Sequence, residues 1–291
     1  MSGDMNTTVV SESSLWLENL VDGCAGITIK AKHAVHCEAS PFQKIEVFDT
    51  YAFGRTLLLG GTIVYTESDG SIYNEMITHP ALFAHGSPRD ICIIGGGDGG
   101  CICEALKHRG IKKITAVEID RQVTDVVKRF FPELACGFND KRVRLYFEDG
   151  YAWLSESTAR FDVIIVDSYD PGGPVQSLET ANFYDVVRRS LKPGGVAAIQ
   201  TDAPQLNREK IQRAMRDLTS HFAWCKPYIA AIPSFPLGMC SFVLCGTGGS
   251  GPRAINRARI EPVSKHCRYY CADIHDGAFY LPKTAGEIFN C

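Results

Sequence analysis

The chain has 291 residues, 45% hydrophobic and 22% charged, and carries a net charge of −3. That is enough chain for one large core with a small satellite unit. The balance of 30 basic and 33 acidic residues, with no Lys/Arg block, argues against a nucleic-acid or anionic-membrane partner. MSGDMNTTVVSESS at the start is polar, without a signal core, and no apolar run is long enough to span a bilayer, so a cytoplasmic protein is expected.

Short alternating runs dominate to about residue 65: GITIKAKHAV, QKIEVFDTYA and TLLLGGTIVYT. Period-two alternation with β-branched residues and intervening Gly predicts antiparallel hairpins. YNEMITHPALFAHG (73–86) predicts a helix leading into a second unit, with the boundary set at 1–75 and 76–291. From residue 90 the texture changes. DICIIGG is a continuous apolar run, as in a parallel strand buried on both faces. GCICEALKHRG predicts a helix stopped by Gly110, KKITAVEID a strand, and RQVTDVVKRFFPEL a helix closed by Pro132. RVRLYFEDG, YAWLSEST and FDVIIVDSYDP continue the alternation. LETANFYDVVRRSLKPGG predicts a helix with basic residues in its last turns, GVAAIQTD a strand and REKIQRAMRDLTSHF a helix. WCKPYIAAI and CSFVLCG close the series as strands, and GTGGSGPR (246–253) connects to a C-terminal tail. Strand–helix alternation of this kind predicts a doubly wound α/β sheet.

The 12 cysteines are scattered through core-like runs and read as reduced apolar residues. Cys267, Cys271 and His275, in HCRYYCADIH, have a spacing that could present zinc ligands on one face of a helix. No fourth ligand is evident apart from His266, and Tyr269–Tyr270 reads equally well as packing. No metal site is therefore expected.

In a doubly wound sheet the ligand sits at the carboxyl ends of the strands. Those positions hold Gly95–Gly100, Glu118, Asp149–Gly150, Asp167–Asp170 and Gln200. Any one of these acids could be a helix cap or turn residue. Together, polar groups at every strand end point to a site. Glu118 lies 23 positions after Gly95, a distance at which an acid accepts hydrogen bonds from ribose hydroxyls. An NAD site is the obvious competitor. Against it, IIGGGDGG (93–100) lacks the G-x-G-x-x-G spacing, and Asp98 would face a pyrophosphate. An S-adenosyl-type ligand suits the pattern better, with Asp149–Gly150 at the adenine edge.

FQKIEVF, TESDGSIYNEM, IIGGGDGG, VEID, EDG, DSYDPGGP and IPSFPLG follow one another in this order. In these motifs the chain resembles the polyamine aminopropyltransferases, the spermidine synthase family, from about residue 15 to LPK (281–283). The resemblance implies an N-terminal β-domain followed by a Rossmann-like, class I methyltransferase-type domain, assembled as a homodimer or homotetramer. It implies transfer of an aminopropyl group from decarboxylated S-adenosylmethionine to a diamine or polyamine, putrescine first, with release of 5′-methylthioadenosine. The donor is then a co-substrate, and no tightly bound cofactor is implied. Asp98 would attract the donor's ammonium and repel the carboxylate of ordinary S-adenosylmethionine.

The same resemblance assigns residues one by one. Asp167 matches the general base, Tyr73 the tyrosine orienting the attacking nitrogen, and Asp170 the second acid of the DSxDP loop beside Ser168. Gln43 and Asn74 match donor contacts, Gly95 and Gly96 the nucleoside loop, Glu118 the ribose acceptor, Asp149 and Gly150 the adenine site, and Pro174 a loop over the site. Gln200 and Phe235 fall on the acceptor side. Four departures also lie there: Phe235 stands for a usual Tyr, Val64 for a common Gln, and Gly60 and Gly70 for acids. A longer polyamine acceptor is one alternative. A small-amine N-methyltransferase is another, against which Asp98 argues. A weakly active regulatory paralogue is a third, against which Asp167, Asp170 and Tyr73 argue.

Overall fold

The computed structural model describes residues 15–21, 24–167, 178–249, 251 and 255–290. Ser168, Asp170 and Pro174 therefore lie outside the described residues.

Five antiparallel strands form the first unit: β1 (Leu15–Val21), β2 (Ala25–Ala39), β3 (Lys44–Thr50), β4 (Arg55–Leu59) and β5 (Thr62–Thr66). They pair in chain order, each with the next. One face of this meander buries Leu17, Ile29, Ala31, Phe48, Leu58 and Ile63. The other buries Ile45, Val47, Leu57 and Tyr65 against the second unit. Alternation along each strand divides the side chains between these faces.

Helix α1 (Gly70–His85) follows and spans the expected boundary at residue 75. It is buried all round from Tyr73 to Ala84, so it is a core helix and not an amphipathic surface one. It packs under β9 and β10 of the large sheet. The large sheet runs β11-β12-β10-β9-β6-β7-β8. Its strands are β6 (Asp90–Gly95), β7 (Lys113–Glu118), β8 (Val143–Phe147), β9 (Phe161–Asp167), β10 (Leu191–Gln200), β11 (Trp224–Ala231) and β12 (Met239–Gly246). The pairs among β6–β10 are parallel, and β12 pairs antiparallel with β10 and β11. Ile91–Ile94 and Phe161–Val166 are all buried, as expected of strands covered on both faces.

The covering helices are α2 (Gly100–Leu106), α3 (Arg121–Phe130), α4 (Pro132–Ala135), α5 (Gly150–Glu156), α6 (Ala181–Ser190) and α7 (Arg208–His221). The tail adds α8 (Arg257–Ser264), α9 (Ala272–Ala278) and α10 (Lys283–Phe289). Three boundaries differ from the sequence reading. α2 stops at Leu106, before Gly110. Pro132 begins α4 at its first position, where a missing N–H costs nothing. Leu191, Lys192 and Pro193 belong to β10, ahead of a register shift before Val196, and not to the preceding helix.

Candidate active site

The strand order of the large sheet reverses between β6 and β9: the chain leaves β6 toward β7 and β8, then returns to a parallel strand on its other side. Gly95 and Asp167 are register partners at that reversal, so both strands end at one crevice. A crevice at such a point is where open α/β sheets bind ligands. Helix α1 and the small sheet close it from the other side. The cavity is lined by Gln43, Leu59, Ile63 and Val64 from the small sheet, and by Tyr73, Asp98, Glu118, Asp149, Asp167 and Phe235, among others, from the remainder. Its described lining holds four carboxylates, Asp98, Glu118, Asp149 and Asp167, and no Lys, Arg or His.

The glycine-rich loop brings backbone close to these acids. Gly96 is left-handed, with φ +72, and a Cβ there would lie 3.0 Å from Asp167 Oδ2. A Cβ on Gly97 would lie 2.7 Å from Glu118 Oε2. With no side chain in the way, the Gly97 amide donates to that oxygen at 2.9 Å, and the Asp120 amide donates to Oε1 at 2.8 Å. Burial nevertheless lifts Glu118 to about 7, against the pull of these two amides. Asp98 accepts from the Gly100 amide at 3.0 Å. It too is lifted to about 7, first by burial and then by the negative charge of Asp167. Asp149 accepts from the Ala152 amide at 2.7 Å and so caps α5 while lining the cavity.

Asp167 ends β9 with both carboxylate oxygens engaged. The Tyr73 hydroxyl donates to Oδ1 at 2.7 Å, and the Cys101 thiol donates to Oδ2 at 3.1 Å. Burial raises its pKa, and those two hydrogen bonds oppose the rise. Burial also holds the Tyr73 phenol well above its ordinary value, so Tyr73 stays a proton donor. The Tyr73 ring lies 5.6 Å from Phe235 and 5.6 Å from Phe242, which fixes its direction.

Most expected residues are thus gathered in one place: Gln43, Tyr73, Gly95, Gly96, Asp98, Glu118, Asp149, Gly150, Asp167 and Phe235 all line the cavity. Val64 lines it as well, whereas Gly60, with φ +58, makes the turn between β4 and β5. A Cβ on Gly70 would lie 2.3 Å from the Tyr65 ring, so the residue there is small for packing reasons. Asn74 does not line the cavity. It is buried behind the loop, where a Cβ on Gly100 would strike its amide. Gln200 sits in an adjoining small pocket with Asp202, Met239 and Cys240, separated by Phe235 and Ile63, which line both spaces.

Two residues of the site escape the sequence reading. Cys101 resembles any other apolar cysteine in a helix until β9 is placed beside it. Asp120 caps α3 through Gln122 and accepts from Gln43 Nε2 at 3.3 Å and Ser40 Oγ at 2.6 Å. It anchors Gln43 across the two sheets. The acid two places after Glu118, directly before a helix, was the available signal.

The zinc spacing in the tail does not converge. Cys267 Sγ faces His79 Nε2 at 3.2 Å, while His275 Nδ1 meets the Tyr270 hydroxyl at 2.6 Å. His79, Glu104 and Cys267 do gather ligand atoms within 4.8 Å of one another. They are already satisfied by protein: His79 bonds His108 at 3.0 Å and Glu104 at 2.9 Å, and Lys107 neutralises Glu104 at 2.5 Å.

Residues 70–253 match the spermine/spermidine synthase domain, and residues 15–67 match the spermidine synthase tetramerisation domain. The chain belongs to the spermine/spermidine synthase family. It is 39% identical to a polyamine aminopropyltransferase of Shouchella clausii over 91% of this chain and 95% of that protein. The Bacillus subtilis polyamine aminopropyltransferase is 37% identical over 96% of this chain and its whole length (100%). Among solved structures, spermidine synthase from Thermotoga maritima superposes with a TM-score of 0.89 at 28% identity, covering 95% and 94% of the two chains. A spermidine synthase in complex with the transition-state analogue AdoDATO gives 0.88 at 28% identity, covering 94% of each chain. The Rossmann-like sheet with its N-terminal antiparallel unit is the fold of these relatives, and the chain is an enzyme of the aminopropyltransferase type.

Proposed function

We propose that this enzyme transfers the aminopropyl group of decarboxylated S-adenosylmethionine to putrescine, giving spermidine and 5′-methylthioadenosine. The observation that carries the reading is the acidic cavity: four carboxylates face it, and no basic residue does among the described lining. Such a cavity suits a doubly cationic donor and a cationic amine, and disfavours a pyrophosphate or a free carboxylate. The relatives named for this activity, and the one holding a transition-state analogue, support it.

The residues divide the work. Glu118 takes the ribose hydroxyls, Asp149 and Gly150 the adenine, and Gln43, oriented by Asp120, the methionine-derived part. Asp98 holds the ammonium of the aminopropyl arm. An acceptor amine has a pKa of about 10.4 and is almost wholly protonated at neutral pH. Asp167 removes that proton, and Tyr73 fixes the direction of both carboxylate and nitrogen. The freed nitrogen attacks the carbon attached to the sulfonium. The C–S bond breaks, and the thioether leaves neutral, so no acid is needed at sulfur. Alignment of nitrogen, carbon and sulfur carries much of the rate. Ser168, Asp170 and Pro174 complete this assignment from outside the described residues.

The enzyme is assigned to the cytoplasm as a homo-oligomer. Its first unit matches a tetramerisation domain, and β1 there exposes Leu15, Trp16 and Leu20. No helix among the described residues is long and apolar enough to cross a membrane. The test is a product assay with decarboxylated or ordinary S-adenosylmethionine and a panel of diamines and polyamines. Methylthioadenosine release with putrescine supports the reading. S-adenosylhomocysteine release, or neither product, overturns it, and a preference for a longer amine revises the acceptor.

A further inference from the structure

We propose that Cys103 and Cys136 form a site of reversible oxidation, at which a peroxide converts the two thiols to a disulfide that clamps the helix behind the glycine-rich loop. Their sulfurs lie 3.4 Å apart. Cys103 lies in the first turn of α2, and Cys136 opens the single 3-10 turn Cys136–Asn139 that follows α4. A disulfide bond is about 2.05 Å long, so closing the gap takes roughly 1.4 Å of sulfur movement.

The backbones on either side are already pressed together. A Cβ on Gly99 would lie 2.6 Å from the Leu134 carbonyl, and one on Gly137 would lie 3.1 Å from Cys103 Sγ. The Cys103 thiol donates to the Leu134 carbonyl at 3.1 Å, and the Cys136 thiol donates to the Glu133 carbonyl at 3.1 Å.

Access differs between the two sulfurs. Cys136 is exposed and Cys103 is half-buried, its thiol pushed up to about 12 chiefly by burial. Cys136 is therefore the thiol that meets the oxidant and Cys103 the one that resolves it. The Cys136 thiolate attacks one peroxide oxygen and the O–O bond breaks, leaving a sulfenic acid and one water. Cys103 then attacks the sulfenic sulfur, its proton leaving with the hydroxyl as a second water. Two thiols lose two hydrogens and two electrons, and hydrogen peroxide is reduced to two waters.

A second close pair makes an internal control. Cys225 and Cys245 are register partners on β11 and β12, with sulfurs 3.3 Å apart. Cys245 is fully buried and Cys225 half-buried, so this pair offers no exposed thiol to an oxidant. Proximity alone would oxidise both pairs, whereas proximity with access selects the first.

Neither Cys103 nor Cys136 lines the cavity, so the disulfide leaves the catalytic groups in place. Turnover is expected to change by less than about twofold. Cys103 and Cys136 are 33 positions apart, so closing that loop restricts the unfolded chain and should raise the thermal midpoint by roughly 4–10 °C.

The experiment treats the full chain with hydrogen peroxide, blocks remaining thiols and digests it without reduction. A Cys103–Cys136 linked peptide, two hydrogens lighter than its parts and released by dithiothreitol, is the expected product. The same oxidised sample should show the raised midpoint, and Cys136→Ser should lose both the link and the shift. Cys136 carried to sulfinic acid with Cys103 still free overturns the proposal. So does linkage of Cys225 to Cys245 first, a link without the rise in midpoint, or no reaction under conditions that fully oxidise a free cysteine peptide.

Discussion

Tyr73 and Asp167 are 94 positions apart in the chain, yet the tyrosine hydroxyl donates to the carboxylate at 2.7 Å. This bond lowers the pKa of a carboxyl that burial raises. Removing it in Tyr73→Phe should move the acidic limb of the kcat/KM profile to higher pH. Turnover should fall roughly 10- to 100-fold, as for loss of a hydrogen bond to a charged group. A pH–rate profile of the variant checks both, and an unmoved limb would mean that Asp167 is not the titrating base.

Asp167→Asn removes the proton acceptor while keeping the shape and one carbonyl oxygen that can still accept from Tyr73. Turnover should drop by at least about 100-fold. Methylthioadenosine, which carries no amine for Asp167 to receive, should bind nearly as before by calorimetry. Wild-type-like turnover would sink the assignment of the base.

Asp98 gives a pH test. Its pKa is raised from 3.8 to about 7. A carboxyl so raised holds its proton more tightly folded than unfolded. Its contribution to the stability of the empty enzyme therefore falls as pH climbs from about 4 to about 7. A cationic donor favours the ionised form and reverses that loss. The thermal shift produced by decarboxylated S-adenosylmethionine should therefore grow between pH 6 and pH 8, and grow less in Asp98→Asn. Equal pH dependence in the two proteins would remove Asp98 from the ammonium site.

Phe235 stands between the main cavity and the pocket holding Gln200, with its ring 5.6 Å from Tyr73. Phe235→Tyr adds a hydroxyl on the acceptor side. The KM for putrescine should fall by about 2- to 10-fold, the worth of one hydrogen bond, with the donor KM unchanged. A change confined to the donor would move Phe235 out of the acceptor half.

Glu75 holds the C-terminal tail onto α1. Its buried carboxylate accepts from the amides of Arg268, Tyr269 and Tyr270 at 2.7, 2.9 and 2.6 Å. Glu75→Ala leaves the buried Tyr270 amide and the part-buried amides of Arg268 and Tyr269 without their acceptor and should cost about 3 kcal/mol. Denaturant unfolding measures this directly, and a loss under about 1 kcal/mol would show that the tail is held by packing alone.

Much of the architecture was legible because it is written in local patterns. Two-residue alternation marked the small sheet, and unbroken apolar runs such as ICIIG and VIIV marked strands buried on both faces. A terminal Gly or acid on each run located the strand ends, and these proved to face one cavity. Local signals failed where a residue has two uses. Pro132 can stop one helix or start the next, and only the break at Phe131 shows that it starts one. LKP reads as the end of a helix by composition, but pairing with Phe161 draws Leu191 into β10.

Residues close together along the chain carried most of the element types, the acidic glycine-rich loop and the motifs of the family. The tertiary structure alone decided which of these groups meet. β9 lies beside β6, and that order sets Asp167 against Gly95, brings Cys101 within hydrogen-bond reach, and leaves Tyr73 of α1 directly opposite. It also placed Asn74 behind the loop and Gln200 beyond Phe235. The reason is physical: periodicity and turn chemistry act over a few residues, whereas strand order is chosen by burial of whole faces, which no short stretch records.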